Sequence, residues 1–142
     1  MRILAVDPGS KQVGLAISDP TGTIATALST LPAAPADTLV ARIASAAAAQ
    51  TAERIIVGLP LRLDGSRGPD AAAAERLGAA LRKASGLPVQ MVDERLTTAA
   101  AERSLIQGGV RRDKRRASID RVAAVILLQG HLDGVRRSEH AR

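Results

Sequence analysis

Cysteine is absent from the 142 residues, and so are phenylalanine, tyrosine and tryptophan. Without cysteine there are no disulfides, thiolate metal sites or thiol nucleophiles, and the expected compartment is the reducing cytoplasm. Without aromatic rings the usual platform for stacking single-stranded bases is missing. Contacts to a nucleic acid would have to run through phosphates, arginine planes and shape. No apolar run approaches the ~20 residues that span a bilayer, so no membrane association is expected. The opening MRILAVD breaks at Asp7 too soon to read as a secretory signal. No internal repeat is visible.

What is present is a globular composition, with 46% hydrophobic and 24% charged residues, which excludes a disordered chain. The length fits one domain with one core, expected over residues 1–134, followed by a flexible basic tail at 135–142. The net charge is +6 and the pI is about 11.2. Of the 20 basic residues only Lys11, Lys83 and Lys114 are lysine. Arginine pairs with phosphate in a bidentate fork, so this bias suits an anionic polymer, although a solvated basic surface would look the same.

Residues 2–7 and 12–18 read as strands rich in Ile, Val and Leu. The turn Asp19-Pro20-Thr21-Gly22 predicts a hairpin between 12–18 and 23–30. Apolar spacing predicts a helix over 36–51. The run RIIVGL, 54–59, reads as a strand buried on both faces. Gly68-Pro69-Asp70 opens a helix that stops at Gly86, since Pro suits the first helical position and Gly the left-handed cap. A strand is expected at 88–92, then a helix capped by Thr97 or Thr98 and ending near Gln107. A basic loop follows at 111–116, and a last helix capped by Ser118 runs to about Asp133. The order predicts an α/β fold: a five-stranded mixed sheet, an antiparallel hairpin first and parallel strands after, with helices on both faces.

In open α/β sheets ligands sit outside the carboxyl ends of the strands. Asp7 ends the first strand, and Glu94 follows the fifth in VDERLTT. Asp120 stands in SIDRVAAVILLQGHLD, three, four and seven residues before Ala123, Ala124 and Leu127. A carboxylate on that apolar helix face is costly unless paired or bound to a metal; the plain alternative is a first-turn acid favoured by the helix dipole. Asp93 is expected to point away from Glu94, because successive strand residues alternate. Three converging carboxylates stay ionised only beside a cation, and oxygen ligands without cysteine select Mg²⁺ or Mn²⁺. Asp7, Glu94 and Asp120 are therefore the candidate catalytic residues and metal ligands. Two such ions can activate water and stabilise the leaving oxygen of a phosphodiester. His131 reads as a helix residue, not a ligand.

The candidate nucleic-acid contacts are Gly9 and Lys11 in the first turn, Arg62 after the fourth strand, Arg95, and the run Arg111, Arg112, Lys114, Arg115 and Arg116. All but Arg62 have a plainer reading. Pro8-Gly9-Ser10-Lys11 could be an ordinary hairpin turn, Arg95 could pair with Asp93, and the basic run could be a solvated loop.

The segments DPGSKQVGLAISD, VGLPLRLDGSRG, VDERLTTAAAE and SIDRVAAVILLQGHLD, in this order, resemble the YqgF family of RuvX-like proteins. The likeness runs from residue 3 to 133. It implies a ribonuclease-H-like fold and a cytoplasmic Mg²⁺- or Mn²⁺-dependent nuclease that trims the 5′ end of precursor 16S rRNA, leaving a 3′-hydroxyl and a 5′-phosphate. The family's first acid falls on Asp7, its DER acid on Glu94, its helix acid on Asp120 and its loop lysine on Lys11. Pro8 and Leu61-Arg62-Leu63 depart from the usual pattern. Three alternatives stay open. One is a Holliday junction resolvase acting on branched DNA, which would need a homodimer where an RNA trimmer could be a monomer. Another is a non-catalytic nucleic-acid-binding module. The third is an actin-like or sugar-kinase ATPase, which requires two such domains to enclose ATP.

Overall fold

The computed structural model describes residues 1–94 and 112–140, with the side chains of 112–121 and 139–140 outside the described set. The elements follow as β1 (Ile3–Asp7), β2 (Gln12–Ser18), β3 (Ala25–Pro32), α1 (Ala36–Ala49), β4 (Arg54–Leu59), α2 (Pro69–Ser85), β5 (Val89–Asp93) and α3 (Arg112–His140). The five strands form one sheet in the order β3-β2-β1-β4-β5. β1 pairs antiparallel with β2 and parallel with β4, and β4 pairs parallel with β5. This is the mixed sheet that the sequence predicts.

Alternation along the strands builds two apolar layers. Leu4, Val6, Leu15, Ile55 and Val57 point to one face and pack on Ile43 and Ala47 of α1 and Leu81 of α2. Ile3, Ala5, Ala16 and Ile56 point to the other and pack on Ala124, Leu127, Leu128 and Leu132 of α3. Ile55, Ile56 and Val57 are all fully buried, as a strand covered on both faces requires. Helices thus cover both faces. Among the described residues no helix is long and apolar enough to cross a membrane.

α2 follows its punctuation closely. Pro69 opens it, Asp70 lies in its first turn, Arg82 and Lys83 in its last, and Gly86 caps it in the left-handed region at φ +72°. The Gly86 N–H donates to the Arg82 carbonyl at 3.0 Å. β3 begins at Ala25, two residues later than expected. The reason is Asp19, whose carboxylate accepts the N–H groups of Thr23 and Ile24 at 2.8 and 2.9 Å and so holds both in the turn. These hydrogen bonds keep the Asp19 carboxyl well below the ordinary range.

The last helix differs most from expectation. Residues 112–116 are helical, not a loop, and the helix does not wait for Ser118. Arginine and lysine are good helix formers, and RRDKRRAS contains neither Gly nor Pro to stop them. At the other end the helix runs past Asp133 to His140, where the sequence predicted fraying. Gly134 costs a helix only about 1 kcal/mol relative to Ala, and an Arg136–Asp133 ion pair at 2.6 Å spans it. The helix expected from Thr97 or Thr98 to Gln107 lies outside the described residues.

Gln129 anchors α3 to the hairpin. Its Oε1 accepts the Ala25 N–H at 2.9 Å, and its Nε2 donates to the Thr23 carbonyl at 2.9 Å and to Asp133 Oδ1 at 3.0 Å. The direction of α3 follows from its neighbours. Leu127 lies by Gly58 at the carboxyl end of β4, while His131 feels the charge of Arg54 at the strand's start. The helix therefore runs antiparallel to β4, and its earlier turns lie toward the carboxyl ends of the strands.

Candidate active site

β4 lies between β1 and β5, so Asp7 and Glu94 stand on strand ends two places apart. With adjacent strands about 4.8 Å apart, their backbones are separated by about 10 Å. The side chains close that gap. The two carboxyls come within interacting distance of each other. Both are buried, at 5% and 9% exposure, which marks them off from the solvated acids of the surface.

The local sequence explains how. Glu94 follows β5, and its N–H donates to the Leu59 carbonyl at 3.1 Å, carrying the β4–β5 ladder one residue further. Asp93 is exposed and Glu94 buried, the alternation expected of neighbouring strand residues. Val6 pairs with Val57, so Asp7 and Gly58 come next in register. On the other side Asp7 pairs with Gly14 of β2. Gly58 provides the room between the acids. A Cβ built there would stand 2.9 Å from Glu94 Cδ and 3.3 Å from Leu127 Cδ2. Leu127 closes the pocket from the α3 side. Gly58 was not among the expected site residues. Its signal was a glycine inside the apolar strand RIIVGL, a place where a backbone is often approached closely.

Burial pushes the Asp7 pKa up, because a carboxylate there loses its hydration; the hydrogen bond from Glu94 pulls the other way and is the smaller effect.

Asp120 lies in α3, two turns before Leu127 and on the helical stripe of Ala123 and Ala124. Its side chain is outside the described residues. Among the described residues no third acid or histidine joins Asp7 and Glu94 in a metal-binding cluster. His131 is held below its ordinary pKa, first by burial and then by Arg54.

Gly9 and Lys11 lie in the β1–β2 turn immediately after Asp7, with Lys11 exposed. Among the described residues the glycines at positive φ are Gly22, Gly65 and Gly86, so Gly9 does not serve as a left-handed turn residue. Arg62 is exposed on the loop after β4. That loop is tied by Gly65 N–H to the Arg62 carbonyl at 2.8 Å and Arg62 N–H to the Ser66 carbonyl at 3.0 Å. Gly68 gives the Arg62 side chain its place, since a Cβ there would stand 3.0 Å from Nη2. Arg95 and Arg111 lie outside the described residues, as do the side chains of Arg112, Lys114, Arg115 and Arg116 on the first turns of α3.

The profile of the family described as "RuvX: Holliday junction resolvase" matches residues 1–134. The chain belongs to the RuvX family. A relative from Chloroflexus aggregans, named "Putative pre-16S rRNA nuclease", is 46% identical over 134 residues, 94% of each chain. Among solved structures, RuvC of T. thermophilus in complex with a Holliday junction substrate superposes with a TM-score of 0.61 at 15% identity, over 97% of both chains. The fowlpox virus resolvase bound to Holliday junction DNA gives 0.59 at 14% identity, over 95% of this chain and 99% of the other. At these identities the likeness is one of fold, and the fold is the ribonuclease-H-like one that the sequence motifs imply. Within this RuvX chain, the acids expected at positions 7 and 94 meet at the carboxyl edge of that fold.

Proposed function

We propose that this chain is a nuclease that hydrolyses phosphodiester bonds in precursor 16S rRNA in the cytoplasm, using Mg²⁺ or Mn²⁺ held by Asp7, Glu94 and Asp120. The observation that carries this reading is the buried, adjoining Asp7–Glu94 pair at the carboxyl edge of the sheet. Such a pair contributes little to folding. Each carboxyl loses hydration, and the two repel when both ionise. Its value lies in what it can bind.

The donor set fits a hard dication, since it is made of carboxylate oxygens alone in a chain without cysteine. When bound, the cation supplies an activated water and a counter-charge for the phosphoryl group. The chain's own residues do the rest. Asp7 and Glu94 hold their oxygens on rigid strand ends. Gly58 keeps the Glu94 carboxylate from being pushed aside, and Leu127 screens it from water on the α3 side. Lys11 and Arg62, exposed on two loops at the same edge, neutralise and orient phosphates flanking the scissile bond.

The 46% identity to a relative named for pre-16S rRNA supports RNA as the substrate. The family's description favours branched DNA as the second reading. Cleavage of matched precursor-rRNA and four-way-junction substrates, with Mn²⁺, separates them. We expect trimming of the RNA 5′ end by the wild type and a loss of at least a hundredfold in Asp7→Asn, the scale of removing one group that acts in the transition state. An Asp7→Asn protein as active as wild type would overturn the site. Paired cuts in the junction and none in RNA would overturn the substrate.

A further inference from the structure

A cleft of about 680 Å³ opens between α1 and α2, at the same carboxyl edge as the acids but on the other face of the sheet. Leu39 and Val40 form one wall, Ala73 and Leu77 the other. The β1–β2 turn, Pro8-Gly9-Ser10, closes the end nearest the acids. That turn directly follows Asp7 and lines the cleft, so it links the strand end that carries Asp7 to the cleft.

We propose that this cleft takes an unstacked base of the bound RNA strand, close to the phosphate that Asp7 and Glu94 act on. The inference rests on the reading of the chain as an RNA nuclease. The size and make-up are those of a small-ligand site, with apolar walls and a few polar groups at the rim. The rim carries one acid, Asp70, and one base, Arg76. With no net positive charge it is a poor phosphate site, and with a carboxylate it is a poor site for a purely apolar group. A base satisfies both ends. Its flat faces fit between the Leu-Val and Ala-Leu walls, while its ring N–H and amino groups can donate to Asp70. The chain has no aromatic side chain on which to stack a base, and a cleft with aliphatic walls is one way to hold a base out of the helix without one.

Continuity decides the occupant. A strand crossing the carboxyl edge over Gly9 and Ser10 meets the acids on one side of the turn and the cleft on the other. Opposite faces of a sheet are within reach of neighbouring nucleotides of a single strand.

The test uses precursor RNA carrying 2-aminopurine at one position at a time around the cleavage site, bound to the full chain as Asp7→Asn so that it stays uncut. One position should brighten as its base leaves the stack. Ala73→Trp, an exposed wall position, should abolish that brightening and weaken binding about tenfold, the scale of losing one base contact. A substrate abasic at that position should bind the Trp variant and its parent equally. The abasic substrate also tests the cleft on unaltered wall residues, where binding should again fall about tenfold. No brightening at any position, or an equal effect of Ala73→Trp on intact and abasic RNA, overturns the inference. If the wild type still trims this RNA in that case, only the base pocket falls. If the RNA neither binds nor is cut, the nuclease reading falls with it.

Discussion

The Glu94 carboxylate lies over Gly58, so close that a single added methyl group would stand 2.9 Å from its Cδ. Glu94 spans the width of β4 to meet Asp7, and it does so because the strand beneath it has no side chain at that point. The sheet order makes this necessary. An acid on β5 can meet an acid on β1 only by crossing β4, which takes the longer of the two acidic side chains and a bare place in the strand between.

Gly58→Ala should therefore disable the site without disturbing the strand. The new Cβ displaces the Glu94 carboxylate, and for the role proposed for Glu94 a shift of about 1 Å should cost on the order of a hundredfold in rate. The backbone at Gly58 is ordinary strand, so thermal stability should fall by much less than activity. Parallel measurements of nuclease rate and melting temperature check this. A variant that melts as wild type and cuts as wild type would show that Glu94 need not stay where it is.

The Asp7 carboxyl, raised by burial above its ordinary value of 3.8, ties stability to pH in the absence of cations. The folded protein holds this proton more tightly than the unfolded chain. The resulting stabilisation is complete below the unfolded value and is lost as pH rises through the folded one. Asp7→Asn carries no such proton. With a chelator present, its melting temperature relative to wild type should rise steadily from about pH 4 upward and then level off above the folded Asp7 pKa. On the proposed ligand set, adding Mn²⁺ at neutral pH should reverse the order, because the wild type gains more from binding than a variant that lacks one ligand. Melting curves across this range, with chelator and with Mn²⁺, read both effects.

Gln129 makes a prediction about the scaffold alone. Gln129→Leu removes the partners of the Ala25 N–H and the Thr23 carbonyl, both only partly accessible to water. Leaving such groups unpaired should cost about 1–3 kcal/mol. Chemical denaturation measures this directly, and rates at low temperature should stay near wild type because the residue is remote from the acids.

The sequence made the scaffold legible where punctuation and pattern agreed. Pro69 and Gly86 bounded α2, and the unbroken RIIVGL marked a strand covered on both faces. The placing of Asp7 and Glu94 at one edge was legible from the strand order, because one ends and the other follows a strand whose carboxyl end lies there. What escaped was set by tertiary context. The helical start of α3 was hidden because a run of like charges reads as a loop, although arginine and lysine favour helix once the following turns pack on the sheet. The late start of β3 depended on how many N–H groups the Asp19 side chain would capture. Gly58 could be singled out only once the strand order was known, because its importance lies in what passes over it from a strand two places away.

Lys11 and Arg62 should act on affinity through charge and not through sequence. Both are exposed at the carboxyl edge, Lys11 in the turn after Asp7 and Arg62 on the loop after β4. A side chain that neutralises one phosphate releases about one counterion, so removing it lowers the salt dependence of binding by about 0.7 to 0.9 in the log–log slope. Lys11→Ala and Arg62→Ala should each flatten the slope by about that amount, and the double variant by about twice as much if the two residues touch different phosphates. The loss should be the same for RNAs of different sequence, since phosphate contacts carry no base information. Binding isotherms at several salt concentrations measure the slopes. A single variant that weakens binding equally at every salt concentration would show that its charge is not on the phosphate backbone. For Arg62 that would leave its packing against Gly68 as its only role.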